Sequence, residues 1–231
     1  MSRQSPSRPV RPRDAASLIL LRGSAGRREV LMGRRPDASR FMPNRWVFPG
    51  GALETPDSRA RPASALDPSL TALLAVGGHA RRARALAMAA VRETFEETGL
   101  VLGARGDVGE PGGETWSEMR ALGLAPALGR LAYVGRAITP VPYPIRFHAR
   151  FFVADASHAH GALALDSELE DLRWVPLGKA AHLDMADVQA FMLAHAEKSL
   201  AQLHDAPGPK PLFTQRAGER YIRYERASED G

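Results

Sequence analysis

Cysteine is absent from the 231-residue chain. That excludes disulfides, thiolate zinc sites and cysteine nucleophiles, and leaves any metal to oxygen or imidazole ligands. Lysine is scarce, with only Lys179, Lys198 and Lys210, so the formal charge of +5 comes from an arginine excess. No uninterrupted apolar run approaches the roughly 20 residues that a membrane-spanning helix needs, so neither such a helix nor a membrane partner is expected. No Gly-x4-Gly-Lys-Ser/Thr loop occurs, which excludes a P-loop nucleotide site. The basic residues form no stripe interleaved with aromatics, so nucleic acid is not an expected partner. A small polyanionic substrate suits this charge at least as well.

Four arginines, Arg3, Arg8, Arg11 and Arg13, fall in "MSRQSPSRPVRPR". Residues 1–13 have no apolar stretch and read as a disordered basic tail rather than a secretory signal. Residues 14–226 read as a single domain. Strands are expected over 15–22 and 30–35, in the short "WVFPGG", and in "LAYVGRAITP", "RFHARFFVADA" and "LRWVPL". A short helix is expected in "DPSLTALLAVGG", with Asp67 as N-cap, Pro68 at its first position and Gly77 past its end. A long helix runs from Ala80 to Thr98 and is closed by Gly99. "MADVQAFMLAHAEKSLAQL" reads as an amphipathic helix with Asp184 as its cap, and a last hairpin turns at Ala217-Gly218. Strands mixed with two long helices predict a layered α/β (α+β) domain.

The long helix carries Arg92, Glu93, Glu96 and Glu97. At 100° per residue the three glutamates share one face, opposite Met88, Val91 and Phe95. Glu93 and Glu97 are an i,i+4 pair of like charge, which costs a few tenths of a kcal/mol. Arg92 lies four residues before Glu96 and can hold its carboxylate. On these residues alone two readings stand: a solvated helix face, or an oxygen-only site for Mg²⁺ or Mn²⁺.

"FPGG" and "RETFEETGL" together resemble the two halves of the Nudix box, G-x5-E-x7-R-E-U-x-E-E-x-G-U with U apolar. Gly51 fits the opening glycine, and Arg92, Glu93, Glu96, Glu97, Gly99 and Leu100 fit the closing half. Asp57 stands where the first glutamate belongs, and Thr94 replaces an apolar residue. Gly51 and Arg92 are 41 positions apart, against 14 in the pattern, so 27 residues are inserted. A surface loop can grow at such a place with modest entropic cost, and the insertion is expected at about residues 58–79.

The resemblance implies a Nudix fold, with a mixed sheet between helices. It implies Glu93, Glu96 and Glu97 as metal ligands and Arg92 as an orienting residue. Glu93 is the first candidate for general base, and Glu168, just before "LRWVPL", the second. "LMGRRPDASRFMPNRWVFPGG" partly follows a signature of coenzyme A diphosphatases, L-L-T-x-R-S-x3-R-x3-G-x3-F-P-G-G. Arg35 and Arg40 match it, while Gly33, Pro36 and Asn44 replace Thr, Ser and Gly. The inserted box and "ITPVPYPIRFHARFFVADA" are similar to the peroxisomal coenzyme A diphosphatase-like branch. That resemblance implies hydrolysis of coenzyme A or acyl-CoA at the diphosphate, with Arg35, Arg40, Gly50, Gly51 and Arg146 binding substrate. ADP-ribose or NADH is the alternative substrate, and a non-catalytic ligand sensor the alternative role. His148 reads as a sheet histidine satisfied by its neighbours. The chain ends "SEDG" rather than Ser-Lys-Leu, so no peroxisomal address is predicted, and the composition suits a cytoplasmic protein. The sequence leaves the oligomeric state open, a homodimer included.

Overall fold

The computed structural model describes residues 10–226 except Ala75, Gly78, Pro142 and Ala217. Most of the basic tail, residues 1–9, lies outside the described residues. The strands are β1 (Arg13–Arg22), β2 (Glu29–Arg34), β3 (Trp46–Val47), β4 (Gly50–Ala52), β5 (Leu100–Arg105), β6 (Leu124–Pro126), β7 (Ala132–Ile138), β8 (Phe147–Asp155), β9 (Ala159–Gly161), β10 (Glu170–Pro176), β11 (Lys210–Arg216) and β12 (Glu219–Glu225). The helices are α1 (Leu70–Leu73), α2 (Ala80–Thr98), α3 (Glu114–Ala121), α4 (Leu177–Ala180) and α5 (Asp187–Ala201). Among the described residues, no helix is long and apolar enough to cross a membrane.

The main sheet has the order β10-β2-β1-β8-β7-β11-β12, with β3 beside β2 and β4 beside β1. It is mixed: β1 runs parallel to β8 and β7 parallel to β11, and the other pairs are antiparallel. Helices cover both faces, and strand alternation sorts the side chains between two cores. Leu18, Leu20 and Leu31 join the core under α2, whereas Ile19, Leu21, Val30 and Met32 join the core under α5. A strand buried on both faces needs apolar residues in succession, which is why "LILL" shows no alternation. A smaller sheet, β6-β5-β9, adjoins α2.

Four details differ from the sequence reading. First, α2 is buried nearly all round rather than along one stripe, because residues 58–79 lie over it. Ala60, Leu70, Leu73, Leu74 and Val76 share its core, and Arg84 donates to the Ser58 carbonyl at 2.8 Å. Its alanines allow this approach from both sides. Second, Asp67 does not cap α1, whose N-cap is Ser69. The Asp67 carboxylate accepts from the Ser69 N–H and hydroxyl in a local turn. Third, Asp184 does not cap α5, which begins after Ala186; it pairs with Arg45. Fourth, β5, β6 and β9 were not foreseen, and Arg13 belongs to β1 rather than to the tail.

Candidate active site

Gly99, at φ 74°, gives its N–H to the Phe95 carbonyl at 2.8 Å and ends α2. Only a residue at ease in the left-handed region fits this cap. Thr94 is buried within the last turns, and its hydroxyl donates to the Ala90 carbonyl at 2.7 Å. That internal bond satisfies the hydroxyl, so threonine stands acceptably where the pattern has an apolar residue.

Arg92 is the hub of the site and only 3% exposed. Its Nε donates to Asp57 at 2.7 Å, and Asp57 is fully buried. Nη1 reaches Glu93 at 2.9 Å and Glu96 at 2.8 Å, while Nη2 donates to the Ala52 carbonyl at 2.9 Å. Burial opposes the Arg92 charge, but the Asp57 hydrogen bonds and the charges of Glu93, Asp57 and Glu96 outweigh it and raise the pKa. Arg92 therefore holds the carboxylates of Asp57, Glu93 and Glu96 and also ties the helix to β4.

Gly50 and Gly51 bring β4 against the glutamates. The Gly50 N–H donates to Glu97 at 2.8 Å. A Cβ on Gly51 would stand 2.5 Å from the Glu93 carboxyl atoms. Burial pushes Glu97 up to about 8; the Gly50 N–H opposes this, Glu93 adds to it, Arg35 opposes it and Glu168 adds to it. Burial also pushes Glu93 up to about 7, with Arg92 opposing and Glu96 adding. Glu93 and Glu97 are thus not a solvated helix face. A Gly51→Ala variant tests the packing: the flexible Glu93 side chain can swing away, so the melting temperature should change little. Turnover should fall by about tenfold or more, since small displacements of catalytic groups are costly.

A cavity of about 580 Å³ opens at this glycine turn, with Gly50, Gly51, Arg35 and Arg40 on its wall. Arg146 is not on that wall. Its guanidinium donates to the Thr139 and Val10 carbonyls and fastens β8 to the start of the sheet. His148 lies 2.7 Å from Arg136, and burial, then Arg150 and Arg136, push its pKa down to about 3. It is the satisfied sheet histidine expected. Glu170 pairs with Arg34 at 2.6 Å. Asn44 sits at φ 61°, a glycine-like conformation that explains its place where the coenzyme A signature has glycine.

The donor set fits a hard divalent cation. Glu93 and Glu97 offer carboxylate oxygens one helical turn apart whose ionisation burial opposes, and a cation bound there would restore it. Glu96 differs, because its two oxygens are already engaged by Arg92 and by the Thr115 hydroxyl of α3. Among the described residues, no three His, Cys, Asp or Glu groups converge on one metal position, so water or substrate oxygens would complete the shell.

Sequence reasoning missed the apolar wall of the cavity, where Phe41 meets Phe147 edge to face at 5.1 Å and Tyr143 and Phe151 take part. These residues come from separate loops and strands, and only the fold assembles them. Thr115 was missed for the same reason.

A family profile for the NUDIX domain matches residues 11–196. A NUDIX hydrolase from Alicyclobacillus acidocaldarius, known by crystal structure, is 30% identical, with 85% of this chain and 99% of that chain covered and a TM-score of 0.61. The Bacillus halodurans mutator MutT protein shares the fold, at 15% identity and a TM-score of 0.50, with 92% and 97% of the two chains covered. Caenorhabditis elegans "Putative nudix hydrolase 7" is 27% identical over 174 residues, which is 71% of this chain. The chain spans about half, 51%, of that relative's length.

Proposed function

The chain belongs to the Nudix family, and on that premise we propose that it is a metal-dependent hydrolase of nucleoside diphosphate derivatives. One observation carries the reading: a single cavity meets arginines at its wall and the Glu93–Glu97 pair behind its glycine turn. We take residues 14–226 as one hydrolase domain, with residues 58–79 inserted, and place it in the cytoplasm on its composition.

Arg35 and Arg40 receive phosphate oxygens through charge-assisted hydrogen bonds. Glu93 and Glu97 hold Mg²⁺ or Mn²⁺, which when bound neutralises phosphate charge and lowers the pKa of water. A water oxygen bonds to one phosphorus, the bridging oxygen leaves with the other phosphate, and a carboxylate takes the proton. That carboxylate is Glu93 on the helix or Glu168 on the loop. Arg92 holds Glu93 and Glu96 still, with Glu96 as a reserve ligand.

Coenzyme A or acyl-CoA is the preferred substrate, supported by the arginine spacing of the signature and by the apolar wall. Coenzyme A carries a 3′-phosphate that ADP-ribose lacks, so a selective site needs a further cation. A charge-assisted bond contributes about 1.5–3 kcal/mol, so Arg35→Ala or Arg40→Ala should lower kcat/KM for coenzyme A by roughly one to two decades. Dephospho-coenzyme A should hardly respond. Wild-type preference for ADP-ribose over both would move the assignment to the ADP-ribose class.

A further inference from the structure

The main sheet ends in β10 on one side and β12 on the other, and the two edges are built differently. An open edge presents unpaired backbone groups, and proteins ordinarily blunt it with a bulge, a proline or charge. β10 is blunted: its register shifts between Glu170 and Arg173, Asp171 sits at φ 52°, and Pro176 closes the strand. β12 is not. It runs seven residues in unbroken register with β11 and contains no proline. Its outer side has no strand partner among the described residues.

The Thr214 hydroxyl donates to the Tyr221 carbonyl at 3.2 Å, so the Tyr221 backbone faces β11. Successive residues of an antiparallel ladder turn their backbone groups to opposite sides. Arg220, Ile222 and Tyr224 therefore point N–H and C=O outward. Tyr221 and Tyr224 are 52% and 56% exposed. The strand reads "ERYIRYE", and it complements itself when reversed about Ile222. Two antiparallel copies set Ile222 opposite Ile222, Arg220 opposite Tyr224, and Tyr221 opposite Arg223. Every arginine of the strand thus meets a tyrosine, a favourable cross-strand and cation–π pair. Glu219 falls opposite Glu225, whose charge is already held by Arg136 at 2.7 Å and Arg223 at 2.5 Å. The charges on this edge therefore suit a second copy rather than repel it.

We propose that β12 is the interface between two copies of this chain, joined about a two-fold axis at Ile222 into one continuous sheet. Such a contact uses the same surface twice, so self-complementarity is what it requires. An interface built on one pair of strands is small, and its dissociation constant should be on the order of micromolar. The neighbouring strand β11 supplies Phe213 and Gln215 to the wall of the active-site cavity, so the interface lies one strand away from that wall.

The test is sedimentation velocity on the full chain, from well below to well above that constant, where monomer should give way to dimer. Ile222→Pro removes the central outward N–H but spares the bonds to β11, and should weaken dimerisation about tenfold or more. Tyr224→Lys sets a cation opposite Arg220 at both ends and should weaken it similarly, whereas Tyr224→Glu should retain the dimer. Because the chain has no cysteine, disulfide trapping reads the register directly. Ile222→Cys should cross-link to itself on mild oxidation. Arg220→Cys should cross-link with Tyr224→Cys but not with itself, because two copies of position 220 stand about 13 Å apart, beyond the roughly 7 Å limit. A monomer at every concentration would overturn the proposal, as would a dimer that Ile222→Pro and Tyr224→Lys leave unchanged. Arg220→Cys trapped with itself would overturn the register. Should Ile222→Pro fail to fold, the Arg220→Cys and Tyr224→Cys pair, at exposed positions, decides the matter.

Discussion

Glu97→Gln is expected to lower diphosphate hydrolysis by roughly two to four orders of magnitude and, without divalent cations in alkaline buffer, to raise the melting temperature. The two effects share one cause. Burial lifts the Glu97 carboxyl to about 8 and the Glu93 carboxyl to about 7, from 4.5 in the unfolded chain. Above the folded values, both groups are charged in both states, and the fold bears the whole cost. As pH falls through 8 and then 7, the folded protein takes up protons that the unfolded chain does not. Stability rises until the unfolded carboxyls protonate near 4.5. A neutral glutamine can still accept the Gly50 N–H and removes the cost, so the gain should be present near pH 9 and absent near pH 5. Each kcal/mol should read as about 2–4 °C. Thermal melts in chelator at both pH values, beside initial rates with Mg²⁺, measure both. Near wild-type turnover would remove Glu97 from the site.

Asp57→Ala should produce the largest loss of stability. Asp57 and Arg92 are both buried, and Asp57 also accepts the Glu54 N–H at 2.8 Å. Removing Asp57 strips Arg92 Nε and Nη2 of their buried carboxylate and leaves only the carboxylates of Glu93 and Glu96, on Nη1. Truncating one partner of a buried pair costs about 3–5 kcal/mol, or roughly 6–20 °C in a chain of this size. Activity should fall as well, because Arg92 would no longer hold Glu93 and Glu96 in one arrangement. Asp57→Glu restores the pattern residue but adds a methylene to a filled site, so it too should destabilise. A melting temperature within about 2 °C of wild type for Asp57→Ala would show the pair to be replaceable by water.

The long helix and its glycine stop were legible because alanine content, charge and Gly99 all favour the same ends. The layered fold was legible from runs such as "LILL", which only a strand covered on both faces requires. Helix caps were less legible. Asp67 and Asp184 have the right residue type, but one makes a turn of its own and the other prefers Arg45. Strands β6 and β9 have three residues each, too few for a period to show, and β5, buried over Leu100–Gly103 without alternation, pairs only with these two. At the site, the closely spaced arginine and glutamates could be read directly from the box. The division of labour among them could not. Glu96 is taken up by Thr115 from α3, 19 positions away, and Arg146 by the carbonyls of Thr139 and of Val10, the latter 136 positions away.

The Asp57–Arg92 contact spans 35 positions, with the inserted segment between its ends. It works as a clasp: the exposed turns between can lengthen or shorten while the two ends stay buttoned, and Leu70, Leu73, Leu74 and Val76 keep their places in the core. Each doubling of such a loop adds only about 0.6 kcal/mol of closure entropy, far less than breaking the clasp would cost. Length in those exposed turns is therefore nearly free to drift, whereas the residues at the ends of the clasp are not. A search that fixes the spacing would pass over proteins built this way, and one that fixes the acid and the arginine would find them.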